Sequence, residues 1–343
     1  MKIAVVCPYD LGRPGGGQEL TTHLVAWLVQ AGHDATLVGP GTTGPEGAVL
    51  LGATTTIPIN RSTAPVKLDP RVSGAVREAV EGFDVVHIHE PLAPMVSLGA
   101  LTVPGPAKIA TFHADPPSWV RGLYRYGRPA VRWALRDVDV VTAVSPVAGS
   151  ALDGVVDYRI IPNGIDVARY GNGDKIEGRV TFLGRDDPRK GLSVMLEAWP
   201  QIRDGAPGAT LHVIGAERPA TPGVTFLGRV PDDEKASELA AAVVHGAPNL
   251  GGESFGIVVL EAMASGSAVV ASSIPAFEHV AGNSGVLVPP GDTGALAGAV
   301  IDLLADPDRA QALGQEARQR AAQFDGSRVA AAYIEAYEDA VNS

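Results

Sequence analysis

The chain has 343 residues, of which 45% are apolar and 19% are charged, and its formal net charge is −11. This length favours two domains with large cores, and this composition excludes an extensively disordered protein. The strong acidity argues against general nucleic-acid binding, which depends on cations that neutralise phosphates.

Three features of the sequence bear on the compartment. Cys7 is the only cysteine, so nothing requires an oxidising environment. The apolar run that follows Met1 and Lys2 has neither the basic start nor the cleavage site of a secretory signal. A run of about 18 apolar residues, long enough to span a bilayer, is also missing. We therefore expect a cytoplasmic protein.

The first half of the chain alternates short β-branched runs with helical periodicity. The predicted strands are residues 3–7, 35–39, 84–89, 108–112 and 138–143. A glycine-rich loop over residues 12–17 precedes a helix that starts at Gln18. Strands separated by helical lengths predict a parallel, doubly wound sheet. The pattern lapses over residues 165–178, which we interpret as a linker.

The second half repeats this alternation and ends in an alanine-rich helical tail. Its predicted strands are residues 179–183, 209–214, 224–227, 243–247, 268–271 and 285–288. Its predicted helices are residues 191–203, 233–242, a helix from about Gly256, and the tail from Thr293 with a break at 324–326. We predict an α/β protein with domains at 1–168 and 169–326, a helix at 327–343 that packs back on the first, and an interdomain ligand cleft.

The strongest motif runs from Gly251 to Gly256 and is followed by Glu261. A helix that starts near Phe255 would direct its free N–H groups at a phosphate, which the glycines allow to approach closely. On such a helix Glu253 and Glu261 would lie about 12 Å apart on one side. This separation would let one carboxylate bind sugar hydroxyls and the other bind a ribose, with the diphosphate between them. The alternative is a helix cap followed by an exposed glutamate.

This motif resembles the retaining glycosyltransferases of family 4, which have the GT-B fold of two facing Rossmann-like domains with parallel sheets. Within that family the chain looks most like the actinobacterial phosphatidylinositol mannosyltransferases, which use GDP-mannose. The resemblance covers essentially the whole chain. Its other motifs are Val6-Cys-Pro-Tyr9, Pro14-Gly-Gly-Gly-Gln18, His87-Ile-His-Glu-Pro91, Ala110-Thr-Phe-His113, Ile161-Pro-Asn-Gly164, Phe182-Leu-Gly-Arg185 and Pro188-Arg-Lys-Gly191.

The resemblance makes the second domain the donor side and the first the acceptor side. It implies that Arg185 and Lys190 contact the donor diphosphate, where fixed cations stabilise a leaving group, and that His113 lies beside the sugar. By themselves, these cations would be interpreted as a solvated loop and His113 as structural. The catalytic candidates are His113, Arg185, Lys190 and Glu253. The donor-binding candidates are Gly16, Arg185, Arg189, Lys190, Val230, Pro231, Asp232, Lys235, Glu253, Ser254, Phe255, Gly256, Ile257 and Glu261.

No cofactor is expected beyond the nucleotide sugar, and no motif implies a divalent metal. His87 and His89 alternate onto one face of a strand, as metal ligands would. A third nearby ligand is not evident, so we favour a structural role. Asp137-Val-Asp139 opens an apolar strand, and we treat its likeness to a metal-binding Asp-x-Asp as coincidence.

The acceptor side departs from the phosphatidylinositol enzymes. Leu92 and Ala114 replace the asparagine and threonine that hold inositol there, and neither side chain forms hydrogen bonds. Tyr9, Gln18 and Lys67 remain compatible with a lipid or polyol acceptor. The membrane-docking basic helix of those enzymes corresponds to residues 70–82, where basic and acidic residues balance here.

A second basic segment suggests contact with a membrane. Five arginines fall on one helical face, with Pro129 expected to divide the segment into two helices. They are Arg121, Arg125, Arg128, Arg132 and Arg136. We hypothesise that they bind an anionic membrane, at the cytoplasmic face of the plasma membrane. The alternative is a solvated face above a core face.

The predicted reaction is transfer of a hexose, mannose from GDP-mannose, with retention at the anomeric carbon. The resemblance implies a front-face mechanism, in which the leaving phosphate accepts the acceptor's proton. One alternative is an epimerase-like enzyme of the same fold, and another is a transferase with a different donor and a soluble acceptor. A sugar-binding protein without chemistry is a third, and NAD chemistry is disfavoured because the glycine fingerprint after Gly15 is incomplete.

Overall fold

The computed structural model describes residues 1–59, 62–67, 69, 71–115, 118–171 and 173–343. The chain forms two compact units, Met1–Gly164 with Gly326–Ser343, and Ile165–Asp325. The division therefore falls after residues 164 and 325, against predicted boundaries after 168 and 326. Each unit is an α/β body built on a parallel sheet, which is the predicted fold class.

The first unit is centred on a seven-stranded parallel sheet of order β3-β2-β1-β6-β7-β8-β9, and an antiparallel hairpin, β4–β5, is inserted between β3 and β6. The strands are β1 (Lys2–Val6), β2 (Asp34–Gly39), β3 (Val49–Leu50), β4 (Thr55–Ile59), β5 (Ser62–Val66), β6 (Val85–His89), β7 (Ala107–Phe112), β8 (Val140–Ala143) and β9 (Arg159–Ile160). All five residues of β6 are buried, as expected for a sheet covered on both faces.

The second unit has a six-stranded parallel sheet of order β12-β11-β10-β13-β14-β15. Its strands are β10 (Ile176–Leu183), β11 (Thr210–Ile214), β12 (Val224–Gly228), β13 (Ala242–Ala247), β14 (Ala268–Ser272) and β15 (Val286–Val288). The order reverses between β10 and β13, so the loops after these two strands flank the switch point, where such sheets bind ligands.

Helices cover both sheets. They are α1 (Gly16–Gln30), α2 (Val72–Ala79), α3 (Val96–Leu101), α4 (Ser118–Tyr126), α5 (Arg128–Ala134), α6 (Pro146–Gly149), α7 (Leu192–Gly205), α8 (Asp232–Ala241), α9 (Ile257–Ala264), α10 (Pro275–Ala281), α11 (Thr293–Ala305), α12 (Pro307–Ala321) and α13 (Gly326–Val341). Among the described residues, none of the helices has the length and hydropathy needed to cross a bilayer.

The core of the first unit includes the last helix of the chain. Tyr333 and Tyr337 of α13 are buried together with Trp27 of α1 and Val5 of β1. Helix α13 packs so closely against α1 that a Cβ on Gly326 would lie 2.0 Å from the Trp27 ring. The helix predicted at residues 327–343 thus lies in the first unit.

Two local features differ from the sequence-based expectation. The β4–β5 hairpin was not predicted, because Pro58 and Pro65 argue against strands. The helical tail breaks after Ala305 as well as near Phe324. Asp306 caps the new helix by accepting a hydrogen bond from the Arg309 N–H, a start signal that its Pro307 neighbour reinforces.

Candidate functional site

The loop after β10 forms a fixed turn against the loop after β13. Asp187 accepts a hydrogen bond from the Arg189 N–H and caps the 3-10 turn Pro188–Lys190. Gly191 follows with φ 75°, and a Cβ there would lie 1.9 Å from the Pro248 carbonyl oxygen. Only glycine fits this conformation at this approach, so the two loops are in direct contact.

Lys190 and Glu253 form an ion pair across these loops. The Lys190 ammonium contacts Glu253 Oε1, which also accepts a hydrogen bond of 2.9 Å from Asn249. The two charged side chains are only 18% and 14% exposed. Within the described residues, the contacts of this carboxylate with Lys190 and Asn249 both fall on Oε1, which leaves Oε2 for a ligand. Asn249 was not among the predicted site residues.

Arg185 and Arg189 differ in the hydrogen bonds and ion pairs that their guanidinium groups form with other protein groups. Arg185 is exposed, and its guanidinium makes no hydrogen bond or ion pair within the described part of the chain. Arg189 forms an ion pair with Asp187 and donates to the Gly252 carbonyl oxygen at 3.3 Å. Arg189 therefore ties the loops together, while Arg185 is the cation that a ligand could engage.

Helix α9 begins later than the motif suggested. Gly252 and Gly256 have φ of 70° and 105°, which a right-handed helix cannot contain, so the helix starts at Ile257. Glu253 lies in the loop before the helix, so the helical rise from which a separation of about 12 Å to Glu261 was predicted does not apply between these residues. The Phe255 side chain is buried against Phe324, which leaves its backbone for ligand contact, as for Gly256.

Glu261 is buried on α9 and is held by two partners on one oxygen. Its Oε1 accepts hydrogen bonds from the Tyr170 hydroxyl at 2.6 Å and from the Lys235 ammonium at 2.8 Å. Burial and the adjacent carboxylate raise the pKa of Tyr170. Burial opposes the charge on Lys235, but the Glu261 and Asp232 carboxylates together outweigh it and raise the Lys235 pKa. Tyr170 lies in the segment predicted to be a linker, and no local pattern indicated this contact.

Four donor-binding candidates lie at or just before the start of α8: Val230, Pro231, Asp232 and Lys235. Asp232 forms ion pairs with Lys235 at 3.1 Å and with Arg169 at 3.2 Å. Pro231 is exposed immediately before the helix, and Val230 is half-buried. Through Lys235, this end of α8 is tied to Glu261, so these predicted residues form one cluster with it.

In the first unit, two histidines meet at the carboxyl ends of β6 and β7. His89 Nδ1 and His113 Nε2 share a hydrogen bond of 2.6 Å. The Glu90 carboxylate accepts hydrogen bonds from the His113 and Ala114 N–H groups at 2.9 and 2.7 Å, and burial raises its pKa. Glu90 has φ 46°, a strained conformation for a residue other than glycine, and such residues cluster at functional sites.

His87 belongs to a separate buried network. Its Nδ1 shares a hydrogen bond of 2.8 Å with the Tyr337 hydroxyl, and its Nε2 shares one of 2.6 Å with Thr111. Thr111 in turn bonds Thr142 at 2.6 Å. These partners link β6, β7, β8 and α13, so His87 is structural, as favoured from the sequence. No cluster of three metal-ligating side chains occurs in the described ranges.

The predicted acceptor residues come together beside β1. Tyr9 forms an isolated bridge with Val66, which is followed by Lys67. The Gln18 amide donates to the Asp10 carbonyl oxygen at 3.2 Å. Burial raises the pKa of Tyr9. Gly16, a donor-binding candidate, begins α1 and is exposed. Residue 70, in the predicted counterpart of the docking helix, lies outside the described residues.

The arginine segment forms two helices, as predicted, but the break lies at Gly127; Pro129 is in the first turn of α5, and Arg136 follows the end of α5. An exposed apolar row accompanies the arginines: Trp119, Leu123, Tyr126 and Trp133 are 68%, 60%, 89% and 68% exposed. Arg121 pairs with Asp115, Arg132 donates to the Val155 carbonyl oxygen, and Arg136 lies over the Trp133 ring. Val131 and Leu135 face the core. The arginines of these two helices therefore lie among exposed apolar side chains.

The buried histidines predict lower stability in mild acid. Burial lowers the pKa of His87 to about 3 and those of His113 and His245 to about 4. Between about pH 6.5 and 4 the unfolded chain binds protons that the folded chain does not, so the free energy of unfolding falls as the pH falls. The expected slope is about 1.4 kcal/mol per pH unit for each histidine.

Thermal unfolding between pH 7.5 and 5 measures this effect. His245→Gln removes one contributor, so its stability should fall less steeply with pH than that of the unchanged chain. The raised pKa of Glu90 acts in the opposite sense but involves one group. A melting temperature independent of pH across this range would contradict the prediction.

Comparison with known proteins gives consistent matches over both units. The profile of Glycosyltransferase Family 4 matches residues 14–169, and that of Glycosyl transferases group 1 matches residues 177–306. Two relatives called phosphatidyl-myo-inositol mannosyltransferase are each 36% identical to this chain. The match to the Mycolicibacterium smegmatis protein covers 98% of this chain and 94% of that protein. The match to the Mycobacterium leprae protein covers 100% of this chain and 98% of that protein. The Anabaena protein HepE, solved with UDP, has the same fold, with a TM-score of 0.77, 18% identity and coverage of 98% of this chain and 100% of its own.

Proposed function

Since this chain is a glycosyltransferase and belongs to family 4, we propose that it transfers mannose from GDP-mannose to a lipid or polyol acceptor such as phosphatidylinositol. The names of the relatives support the sugar and the acceptor class. The observation that carries the donor half is the Lys190–Glu253 ion pair beside the start of α9. It combines a cation for a diphosphate with a carboxylate for sugar hydroxyls.

The donor is proposed to bind the second unit so that its negatively charged diphosphate lies beside the positively charged side chains there. Arg185 and Lys190 stabilise the diphosphate, whose negative charge grows as it leaves. The backbone of Ser254–Gly256 and the free N–H groups at the start of α9 add donors. Glu253 holds the sugar through Oε2, and Glu261 holds the ribose. Arg189 serves this site indirectly, by fixing the loop that carries Lys190.

Transfer is proposed to occur with retention, on the face from which the diphosphate leaves. The leaving phosphate oxygen accepts the proton of the acceptor hydroxyl as that hydroxyl attacks the anomeric carbon. His113 hydrogen-bonds the sugar and orients it, which favours the reactive geometry. No metal is needed in this scheme, because Arg185 and Lys190 supply the positive charge.

The acceptor is proposed to bind the first unit near Tyr9, Gln18 and Lys67. Lys67 can pair with a phosphate of the acceptor, and Gln18 can bind its hydroxyls. Leu92 and Ala114 offer no side-chain hydrogen bonds, so inositol contacts here would differ from those of enzymes with polar residues at both positions. The Ala114 N–H is engaged by Glu90.

We also place the protein at an anionic membrane surface on the cytoplasmic side, through α4 and α5. Exposed tryptophans and tyrosines favour the headgroup layer, and arginines favour anionic lipid. Replacing Trp119 and Trp133 by serine, or all five arginines by glutamine, should lower partitioning onto vesicles of phosphatidylcholine and phosphatidylglycerol by about tenfold or more. Vesicle sedimentation measures this.

The control changes Arg309 on α12 and Arg328 on α13 to glutamine, which removes two exposed positive charges outside α4 and α5. This variant should sediment with vesicles as the unchanged chain does. If the protein still sediments with vesicles after all five arginines and both tryptophans are replaced, the membrane assignment is wrong.

A donor-by-acceptor screen tests the proposed reaction. GDP-mannose, GDP-glucose, UDP-glucose and UDP-galactose are each incubated with phosphatidylinositol, free inositol and no acceptor, and the linkage is determined by NMR. We expect an α-linked mannoside formed from GDP-mannose and phosphatidylinositol. Conversion of a donor without acceptor would instead support an epimerase-like enzyme, and transfer only to a soluble acceptor would refute the lipid assignment.

A further inference from the structure

A pocket of about 800 Å³ lies in the second unit at the amino ends of its strands. Its lining includes Lys175 directly before β10, Val243 near the start of β13, and Gly266 in the turn before β14. The proposed donor site is formed by the loops that follow β10 and β13. Since the strands of a parallel sheet run in one direction, these loops lie at the opposite edge of the sheet. The pocket is therefore separate from the donor site.

The charged side chains of the pocket are both basic. Lys175 and Arg318 line it, and no aspartate or glutamate does so among the described residues, in a chain with 38 acidic residues and 27 lysines and arginines. Burial and, after it, the charge of Arg318 lower the pKa of Lys175 to about 8. The two cations therefore repel each other across the pocket. An anion bound by both would offset this repulsion.

The Lys175 ammonium is held in place at the pocket wall. It donates to the Ser265 carbonyl oxygen at 3.0 Å and to Ser267 Oγ at 3.3 Å. An ammonium has three N–H groups, so one remains for a ligand. Ser265 follows the last residue of α9, and a cation there stabilises the helix end. That structural role needs Lys175 alone and does not account for the second cation.

Helix α12 forms a polar wall of the pocket. Three exposed glutamines that line it are four residues apart and share one face of the helix: Gln311, Gln315 and Gln319. Gly314 packs so closely on the turn after α9 that a Cβ there would lie 2.2 Å from the Gly266 carbonyl oxygen. This contact fixes α12 against that turn. Glutamine amides both donate and accept hydrogen bonds, as binding of hydroxyl groups requires.

We propose that this pocket binds a phosphorylated small molecule with several hydroxyl groups, of the size of a sugar phosphate. Lys175 and Arg318 bind the phosphate through charge-assisted hydrogen bonds, and the glutamines of α12 bind the hydroxyls. The volume lies in the range of small-molecule sites and is too large for an inorganic anion alone. This site goes beyond the proposed function and does not depend on the identity of the donor or acceptor.

Isothermal titration calorimetry of the full chain at pH 7 tests the site with three probes: mannose 6-phosphate, inorganic phosphate and mannose. We expect mannose 6-phosphate to bind more tightly than inorganic phosphate, and at least about a hundredfold more tightly than mannose, which lacks the charged group. Arg318→Gln should weaken mannose 6-phosphate binding about tenfold or more. Arg318→Lys, which keeps the charge, should remain within about fivefold of the unchanged chain.

Two control variants locate the binding. Arg309→Gln removes the same charge from α12 outside the pocket, and Lys190→Met removes a cation of the proposed donor site; both should leave the affinity for mannose 6-phosphate unchanged. Circular dichroism verifies that each variant is folded.

Three results would overturn the proposal. They are equal affinities in Arg318→Gln and Arg309→Gln, loss of binding in Lys190→Met, which would place the probe in the donor site, and no binding of either phosphate compound by the unchanged chain. Equal affinity for inorganic phosphate and mannose 6-phosphate would refute the role of the glutamines. Because sugar transfer is not measured, failure of the proposed function would leave these results unaffected.

Discussion

Replacing Glu253 by alanine is expected to lower kcat for sugar transfer by about 10²–10³-fold, the loss seen when one preorganised polar group is removed from a reacting centre. Glu253 holds Lys190 through Oε1 and is fixed by Asn249. Its removal takes away the carboxylate proposed to hold the sugar and releases the Lys190 ammonium from its position. Steady-state kinetics with varied donor measure the effect.

Two further variants test whether the loss of kcat comes from the charge of Glu253. Glu253→Gln keeps the shape of the side chain but removes its charge, so it should resemble the alanine variant if the ion pair matters. Glu197→Gln makes the same change at an exposed site on α7 and should leave kcat unaltered. Near-normal turnover in Glu253→Ala, with the fold intact, would refute the assignment of the donor site.

The ion pair also predicts strong coupling between its two members. Because Lys190 and Glu253 position each other, the double variant Lys190→Met with Glu253→Gln should lose much less activity than the sum of the single losses. Additive losses would mean that the two residues act independently on the donor.

Replacing Gly191 by alanine is expected to lower the free energy of unfolding of the second unit by about 3 kcal/mol or more. The new Cβ would meet the Pro248 carbonyl oxygen at 1.9 Å, in a backbone conformation with φ 75°. Either the turn after β10 or the loop after β13 must move. Since these loops carry Lys190 and Glu253, donor turnover should fall together with stability.

Gly208→Ala is the matched control, because Gly208 has φ 96° and open space where a Cβ would lie. It isolates the backbone strain, expected to cost about 1–2 kcal/mol. Thermal unfolding followed by circular dichroism compares the two variants. Equal losses at both positions would show that contact with Pro248 does not matter.

The sheets were predictable because their strands are buried on both faces. Residues 84–89 and 108–112 were predicted as strands, and the structure has β6 at Val85–His89 and β7 at Ala107–Phe112. Continuous β-branched and apolar runs of this kind are typical of parallel sheets. The hairpin β4–β5 lacks such a run, since each strand contains a proline.

The contacts that organise the site could not be predicted locally. Glu261 bonds Tyr170, which is 91 residues away, and Glu253 pairs with Lys190, which is 63 residues away. Sequence spacing made Glu253 and Glu261 candidates but placed both on one helix, whereas Gly252 and Gly256 have positive φ and the helix starts only at Ile257. Glycine composition alone does not reveal which conformation each glycine adopts.

The return of α13 to the first unit has a consequence for synthesis on the ribosome. Residues Met1–Gly164 emerge before the second unit, whereas Gly326–Ser343, which completes their core, emerges after it. At about 5–20 residues per second, the intervening second unit takes on the order of ten seconds to be made. Throughout that interval His87 lacks its partner Tyr337 and the face of Trp27 that α13 covers is open. The second unit, contiguous in sequence, can therefore finish folding before the first, although it is translated later.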